Sequence, residues 1–399
     1  FVEMGKTDVR DADAVAQLHP GVAYRAFDLN EAGGERIGQM LGELLALFEQ
    51  GVLRPLPVRV WDVRQVRQAL RHLSQARHVG KVVLTVPVPA DAEGTTLVTG
   101  ASGALAGVVA RHLVASGQAR RLVLASRRLP VEGSDYAALV AELTGAGAQV
   151  TAVSVDVADA GQVAGLVAGI DPAHPLTAVV HCAGVLADSV VTSLSADGVA
   201  AVLRPKVEGA WALHEATAGL DLSAFVVFSS IAATLGSPGQ GNYAAANAFL
   251  DALAQHRRAQ GLPATSIGWG MWATGGMTAQ LGADDRQRLG RLGMTGLTAD
   301  EGAALLDAAT AGPRAAVVAA RLRITGDAGQ VPPIVRLLAR TGPRRQARTG
   351  QAGAGTGWPE RLVGLSQDEA RRLLVDLVCG QAAAVLGHAS AQAVAGGRA

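Results

Sequence analysis

The chain has 399 residues, of which 49 % are hydrophobic and 17 % charged, and its formal net charge is +1. That length and apolar content leave room for about two or three domains with cores of their own and exclude bulk disorder. The basic residues are scattered apart from Arg344, Arg345 and Arg348, which excludes the cationic footprint of a nucleic-acid binder.

Gly, Asp or Arg interrupts the apolar stretches every few residues, so none reaches the roughly 20 residues of a membrane-spanning helix. The chain starts at Phe1 with neither an initiator Met nor a signal-peptide pattern, and is expected to be an internal piece of a longer protein. Cys182 and Cys379 fall in separate segments with no metal-ligand cluster near them. This argues against a disulfide framework and fits a reducing cytoplasm.

From Phe1 to Val86 helix and strand patterns mix. Met40, Leu41, Leu44, Leu45 and Phe48 share one helical face, and VGKVVLTV reads as a strand. PVPADAEG is a linker by its prolines and glycine. Strands and helices then alternate from Thr95 to about Leu322, with strand-like runs TTLVTG, RRLVLAS, AQVTAVSVD, TAVVHCAG, AFVVFSS, ATSIGWG and RAAVVAARL. Alternation of this kind predicts an α/β fold, a doubly wound parallel Rossmann sheet with helices on both faces. Gly326 to Trp358 turns to Gly, Pro, Arg, Thr and Gln and reads as a linker. Ser366 and Glu369 then form an N-cap signature ahead of an amphipathic helix.

TLVTGASGALAG carries a strand into a glycine-rich turn and a helix. Backbone N–H groups at Gly100 and Gly103, helped by the Ser102 hydroxyl, can meet an anion at the positive end of the helix. Such turns also occur where nothing binds. The next strand ends in Ser126, Arg127 and Arg128, where a guanidinium can pair with a ribose 2′-phosphate and so select NADPH; a solvated arginine pair is the plainer reading. Asp156 is placed for an adenine edge or as an ordinary turn former. Ala183 and Gly184 leave room for a nicotinamide ribose or make a simple tight turn. Leu105 and Val157 complete the predicted cofactor set.

Reducing a ketone needs hydride at carbon and a proton at oxygen. Tyr243 is the candidate acid, and a nearby cation, Lys206, is expected to make its phenol a better donor. Ser230 would hold the carbonyl, while Asn247, four residues after Tyr243 on one helix face, would orient Lys206 directly or through a water. Taken singly, each has a dull alternative as a cap, a solvated helix position or a core-edge aromatic. The combination carries the reading.

At these residues the chain resembles the ketoreductases of modular polyketide synthases, a branch of the short-chain dehydrogenase/reductase family. In most of that superfamily Lys stands four residues after Tyr, whereas YAAAN puts Asn247 there and RPKVEG supplies Lys206, the exchange that polyketide ketoreductases show. The resemblance implies NADPH-dependent reduction of a β-ketoacyl thioester carried by an acyl carrier protein. It also implies stereocontrol residues: Asp188 marks a B-type enzyme giving the D-hydroxyl, Pro238 and Asn242 fit its loop, Leu235 stands where A-type enzymes carry tryptophan, and Met277 lies near the acyl chain. Ala245 in place of proline implies a non-epimerising subtype. Ala187 departs from the usual LDD, and Ala106 followed by Gly107 departs from the final loop glycine.

Residues 1–88 resemble the C-terminal portion of an enoylreductase that lacks its own nucleotide loop. Residues 359–399 resemble the start of an acyl carrier protein that stops before its phosphopantetheine serine. The implied organisation is an incomplete enoylreductase over 1–88, a linker at 89–94, the ketoreductase over 95–340, a linker at 341–358 and the carrier start over 359–399, working with other domains of one synthase module. A catalytically silent scaffold that binds NADPH or docks neighbours is the alternative, and residual enoylreductase function is a third reading.

Overall fold

Each of the seven predicted runs is rich in β-branched or small apolar residues, which suits strands covered on both faces. All seven are strands in the computed structural model, which describes residues 1–4, 9–273, 293–323, 333–338 and 365–386. They are β1 (Thr95–Thr99), β2 (Arg121–Ser126), β3 (Gln149–Ser154), β4 (Leu176–His181), β5 (Ala224–Ser230), β6 (Thr265–Trp269) and β7 (Ala316–Ala319). They pair in the order β3-β2-β1-β4-β5-β6-β7, parallel throughout.

Strand side chains alternate between two hydrophobic clusters. Val98, Leu124, Val180, Val226 and Phe228 face one side, packed by α1 (Ala104–Ala115), α2 (Asp135–Gly145) and α7 (Ala299–Thr310). Leu97, Val123, Val179, Phe225 and Val227 face the other, covered by α3 (Ala160–Ala168), α5 (Gly209–Thr217) and α6 (Gly241–Ala259). Between β4 and β5 lies α4 (Ala196–Leu203), followed by a π-helical turn, Arg204–Glu208. The strand order reverses between β1 and β4, and a crevice opens beyond the carboxyl ends of strands at such a switch point.

The chain divides into two compact units, one of Phe1–Arg59 with His72–Val83 and one of Val60–Arg71 with Leu84–Ala399. The first contains the predicted helix as Gly33–Glu49, and Leu41, Leu44, Leu45 and Phe48 on its apolar face are exposed, Leu45 by 62 %. In the second unit Asp62 is buried. It accepts hydrogen bonds from Arg64 Nη2 at 2.6 Å and from Arg258 Nη1, in the last turn of α6, at 3.1 Å. Ser366 caps the helix Gln367–Leu386, its hydroxyl meeting Glu369 Oε2 at 2.6 Å. The linker predicted at 341–358 lies outside the described residues.

Candidate active site

The crevice begins at the turn from β1 into α1. Gly100 has φ +73°, and a Cβ there would lie 2.7 Å from Ala183 N and 2.8 Å from its Cα; only glycine combines that conformation with that approach. Gly103 occupies the N-cap of α1 and supplies no side-chain cap, so the first-turn N–H groups have no intrahelical acceptor and could meet an anion. The cavity in front of this turn has a volume of about 440 Å³. Gly100, Ser102 and Gly103 line it from the first turn, Ser126 and Arg127 from the end of β2, Asp156 and Val157 beyond β3, and Ala183 and Gly184 beyond β4.

Leu105 behaves differently from the rest of the predicted cofactor set, because its side chain packs against the hydrophobic core rather than lining the cavity. Asp156 is seen as a turn former at the edge of the cavity. It lines the cavity, and its Oδ1 accepts the Ala158 N–H at 3.1 Å as a turn former would. A neighbouring hollow of about 310 Å³ is lined by Ser102, Arg127, Arg128 and Ser134. Among the described residues neither Arg127 nor Arg128 is in an ion pair, while Ser126 Oγ and Ser154 Oγ donate to the backbone carbonyls of Arg128 and Arg127 and fix this corner. Arg204 and Pro205 also line the larger cavity and are not foreseen from the sequence; their one sequence signal is adjacency to Lys206 in RPKVEG.

The predicted catalytic side chains lie near one another, with Lys206 and Tyr243 in contact range and Lys206 against Gly184, which lines the cavity. Ser230 is the last residue of β5, and its Oγ accepts the Ala232 N–H at 3.2 Å. Tyr243 lies in the first turn of α6, its N–H donating to Asn242 Oδ1 at 2.9 Å. Asn242 Nδ2 in turn donates to the carbonyls of Ala187 at 2.9 Å and Gly198 at 3.2 Å, so the start of α6 is tied to the segment after β4. The Tyr243 ring is buried among Val202, Ala232 and Ala246, with Val185, Leu186 and Ala187 against them.

Lys206 comes from the π-turn and is 2 % exposed. Its Nζ donates to Phe228 O at 2.8 Å and stands 5.6 Å from the centroid of the Tyr243 ring. A Cβ on Gly184 would come within 2.9 Å of Lys206 Cε, so glycine there gives the lysine its path. Burial lowers the Lys206 ammonium to about 8, against the opposing influence of Cys182 and Asp251. Burial likewise raises the Tyr243 phenol, opposed by hydrogen bonding to the Ser230 and Asn247 side chains, and the charge of Asp188 raises it further.

The phenol is held above its ordinary value because desolvation in the apolar cluster outweighs hydrogen bonding to the Ser230 and Asn247 side chains. Asn247 makes no direct bond to Lys206 among the described residues. Its Nδ2 donates to Tyr243 O, one helical turn back, at 2.7 Å, and its buried Oδ1 has no partner. Such an atom is placed for a bridging water.

Of the predicted stereocontrol residues, Asp188 is exposed and accepts a hydrogen bond from Gln240 Nε2 at 2.8 Å. Ser189 N–H donates to Gly239 O at 2.8 Å, so the Asp188 and Pro238 loops adjoin. Leu235 ends a short helix, Ala232–Leu235, and is half-buried. Met277 lies outside the described residues.

A parallel sheet in this order with a glycine turn at its switch point is a fold of the short-chain dehydrogenase/reductase type. The fold alone is shared with a short chain dehydrogenase from Burkholderia cenocepacia, solved in complex with NADP, at 22 % identity and TM-score 0.50 over 58 % of this chain and 97 % of that one. Residues 94–274 match the family model of the KR domain, and residues 1–84 that of a zinc-binding dehydrogenase.

An A-type ketoreductase from a modular polyketide synthase is 42 % identical with TM-score 0.54, covering 59 % of this chain and 50 % of that one. The first ketoreductase of the tylosin synthase is 45 % identical with TM-score 0.51, covering 57 % and 49 %. In sequence the chain is 54 % identical to the spectinabilin polyketide synthase system protein NorB of Streptomyces orinoci over 99 % of its length, and 51 % identical to the polyketide synthase GfsB of Streptomyces halstedii over all of it. It spans only 18 % and 7 % of those two proteins. Residues 94–274 therefore form an oxidoreductase domain homologous to the ketoreductases of polyketide synthases. Among the described residues no helix is long and apolar enough to cross a membrane.

Proposed function

We propose that this domain reduces a carrier-bound β-ketoacyl thioester to the β-hydroxyacyl thioester with NADPH, as one step of polyketide assembly. What supports the reading is the grouping of Tyr243 and Ser230 with buried Lys206, whose stem packs against Gly184, a lining residue of the crevice that begins at the Gly100–Gly103 turn.

NADPH would supply hydride. Gly100, Ser102 and Gly103 would bind its pyrophosphate at the α1 N-terminus, Arg127 with Arg128 would receive the 2′-phosphate, and Ala183 with Gly184 would let the nicotinamide ribose pass. The cavity lining supports those assignments, as does the lack of an ion pair at Arg127 or Arg128 among the described residues. Ser230 would hold the carbonyl oxygen and Tyr243 give it a proton. A phenol raised by burial is in the protonated form that an acid needs at neutral pH. Lys206, close to the ring and unable to reach bulk water, would stabilise the phenolate left behind. Asn247 would complete a proton path through a water on its free Oδ1.

The resemblance of the Asp188 loop to B-type enzymes supports a D-hydroxyl product. The carrier protein bearing phosphopantetheine and the neighbouring domains of a synthase module would be the partners. The family match over residues 1–84 supports assigning the N-terminal segment to an enoylreductase. A silent NADPH-binding scaffold is the competing function. Tyr243→Phe separates the two: NADPH oxidation by the full polypeptide with a β-ketoacyl thioester should fall by about 10² or more with NADPH binding retained. Binding without turnover in the unaltered protein would favour the scaffold.

A further inference from the structure

Lys206 reaches Tyr243 from a turn that an α-helix would not provide. In the π-turn Arg204–Glu208 the Gly209 N–H donates to Arg204 O, whereas regular α-helical pairing would give that N–H to Pro205 O. Pro205 O is thus deprived of its usual donor, one residue before Lys206. The replacement is a side chain: His181, the last residue of β4 and 0 % exposed, places Nε2 at 2.9 Å from Pro205 O.

The tautomer follows from the partners. A carbonyl only accepts, so Nε2 carries the proton, and Nδ1 at 2.8 Å from Thr99 Oγ1 accepts the Thr99 hydroxyl. Burial, and next the charge of Lys206, lower His181 to about 3. The ring therefore stays a neutral donor across the working pH range and never adds a second positive charge beside the ammonium.

We propose that His181 is a positioning residue for Lys206: its Nε2–H, oriented by Thr99, holds the Pro205 carbonyl and so fixes the π-turn that aims the ammonium at Tyr243. This rests on the reading that Lys206 supports the Tyr243 phenol. The chain Thr99, His181, Pro205, Lys206 links the end of β1, under the phosphate turn, to the acid.

The test is the pH dependence of kcat for NADPH oxidation by the full polypeptide, using a small diffusible β-ketoacyl thioester as probe. In His181→Phe the ring volume stays and the donor goes, so kcat should drop about tenfold, the worth of one buried hydrogen bond. KM should hold, and the alkaline limb should move to higher pH as Lys206 regains solvent. His181→Gln, whose amide nitrogen can stand in for Nε2, should recover most of the rate and the limb. Thr99→Val leaves the imidazole but removes its orienting hydroxyl, should shift the limb in the same direction, and decides the matter if His181→Phe does not fold. On a Lys206→Met background the His181 effect should vanish, since it acts through that lysine. A wild-type limb in the His181 and Thr99 variants, or an undiminished His181 effect without Lys206, overturns the proposal. An unchanged kcat and limb in Lys206→Met alone would instead overturn the role of Lys206, and with it the basis for positioning it.

Discussion

Lys206→Met should make the protein more stable at neutral pH while disabling it. The lysine is 2 % exposed, and burial takes its ammonium from 10.5 to about 8. A cation whose folded-state value is depressed contributes stability that is present above 10.5 and lost as pH falls through about 8. The difference amounts to about 3 kcal/mol, the cost of keeping the charge out of water at pH 7. Methionine fills the stem's volume without a charge, so the variant's stability relative to wild type should rise by about 3 kcal/mol as pH is lowered from 10.5 to below 8. Urea unfolding of both proteins at several pH values measures that difference curve, and subtracting one from the other cancels every other titrating group. A flat curve would show that Lys206 ionises as in water and would refute the argument from burial. The same variant should lose about 10²-fold in kcat.

Gly100→Ala should abolish NADPH binding and destabilise the fold by about 1–3 kcal/mol, because the new Cβ meets Ala183 from a left-handed backbone; calorimetric titration and thermal melting check both. Arg127→Ala should weaken NADPH about tenfold or more and leave NADH unchanged, read by fluorescence titration with each nucleotide. Asp188→Ala releases Gln240 from the loop beside the acid and should erode the D-selectivity of the product, measured by chiral chromatography; an L-alcohol from the unaltered protein would defeat the stereochemical reading.

The sheet was legible because it is buried on both faces: Leu97 and Val98, or Phe225 and Val226, are apolar neighbours that a half-exposed strand would not carry. The candidate site residues stand out for a related reason, since they sit at or just past strand ends, where Gly100, Ser126, Asp156, Gly184 and Ser230 interrupt apolar runs. What was hidden depends on hydrogen bonds between distant residues. No local pattern shows that Arg204–Glu208 winds as a π-turn, or that His181 in HCAG satisfies a carbonyl 24 residues on. The 3.6-residue period turns the Leu105 side chain to the core, while its backbone stays in the first turn of α1. Asn247 and Tyr243 share a helix face as spacing implied, but the amide bonds the backbone rather than the lysine. The direction of the Tyr243 shift depends on the apolar cluster around its ring, which only assembly of three segments reveals.

The central claim is hydride delivery from a nucleotide in the β1–α1 crevice to a ketone protonated by Tyr243. A single turnover of the full polypeptide with NADPH deuterated at nicotinamide C4 and a β-ketoacyl thioester tests it most directly. The account predicts deuterium on the β-carbon of the hydroxyacyl product, and no labelled product from Tyr243→Phe on the same timescale. Unlabelled product, or label transferred at the normal rate by the phenylalanine variant, would contradict it.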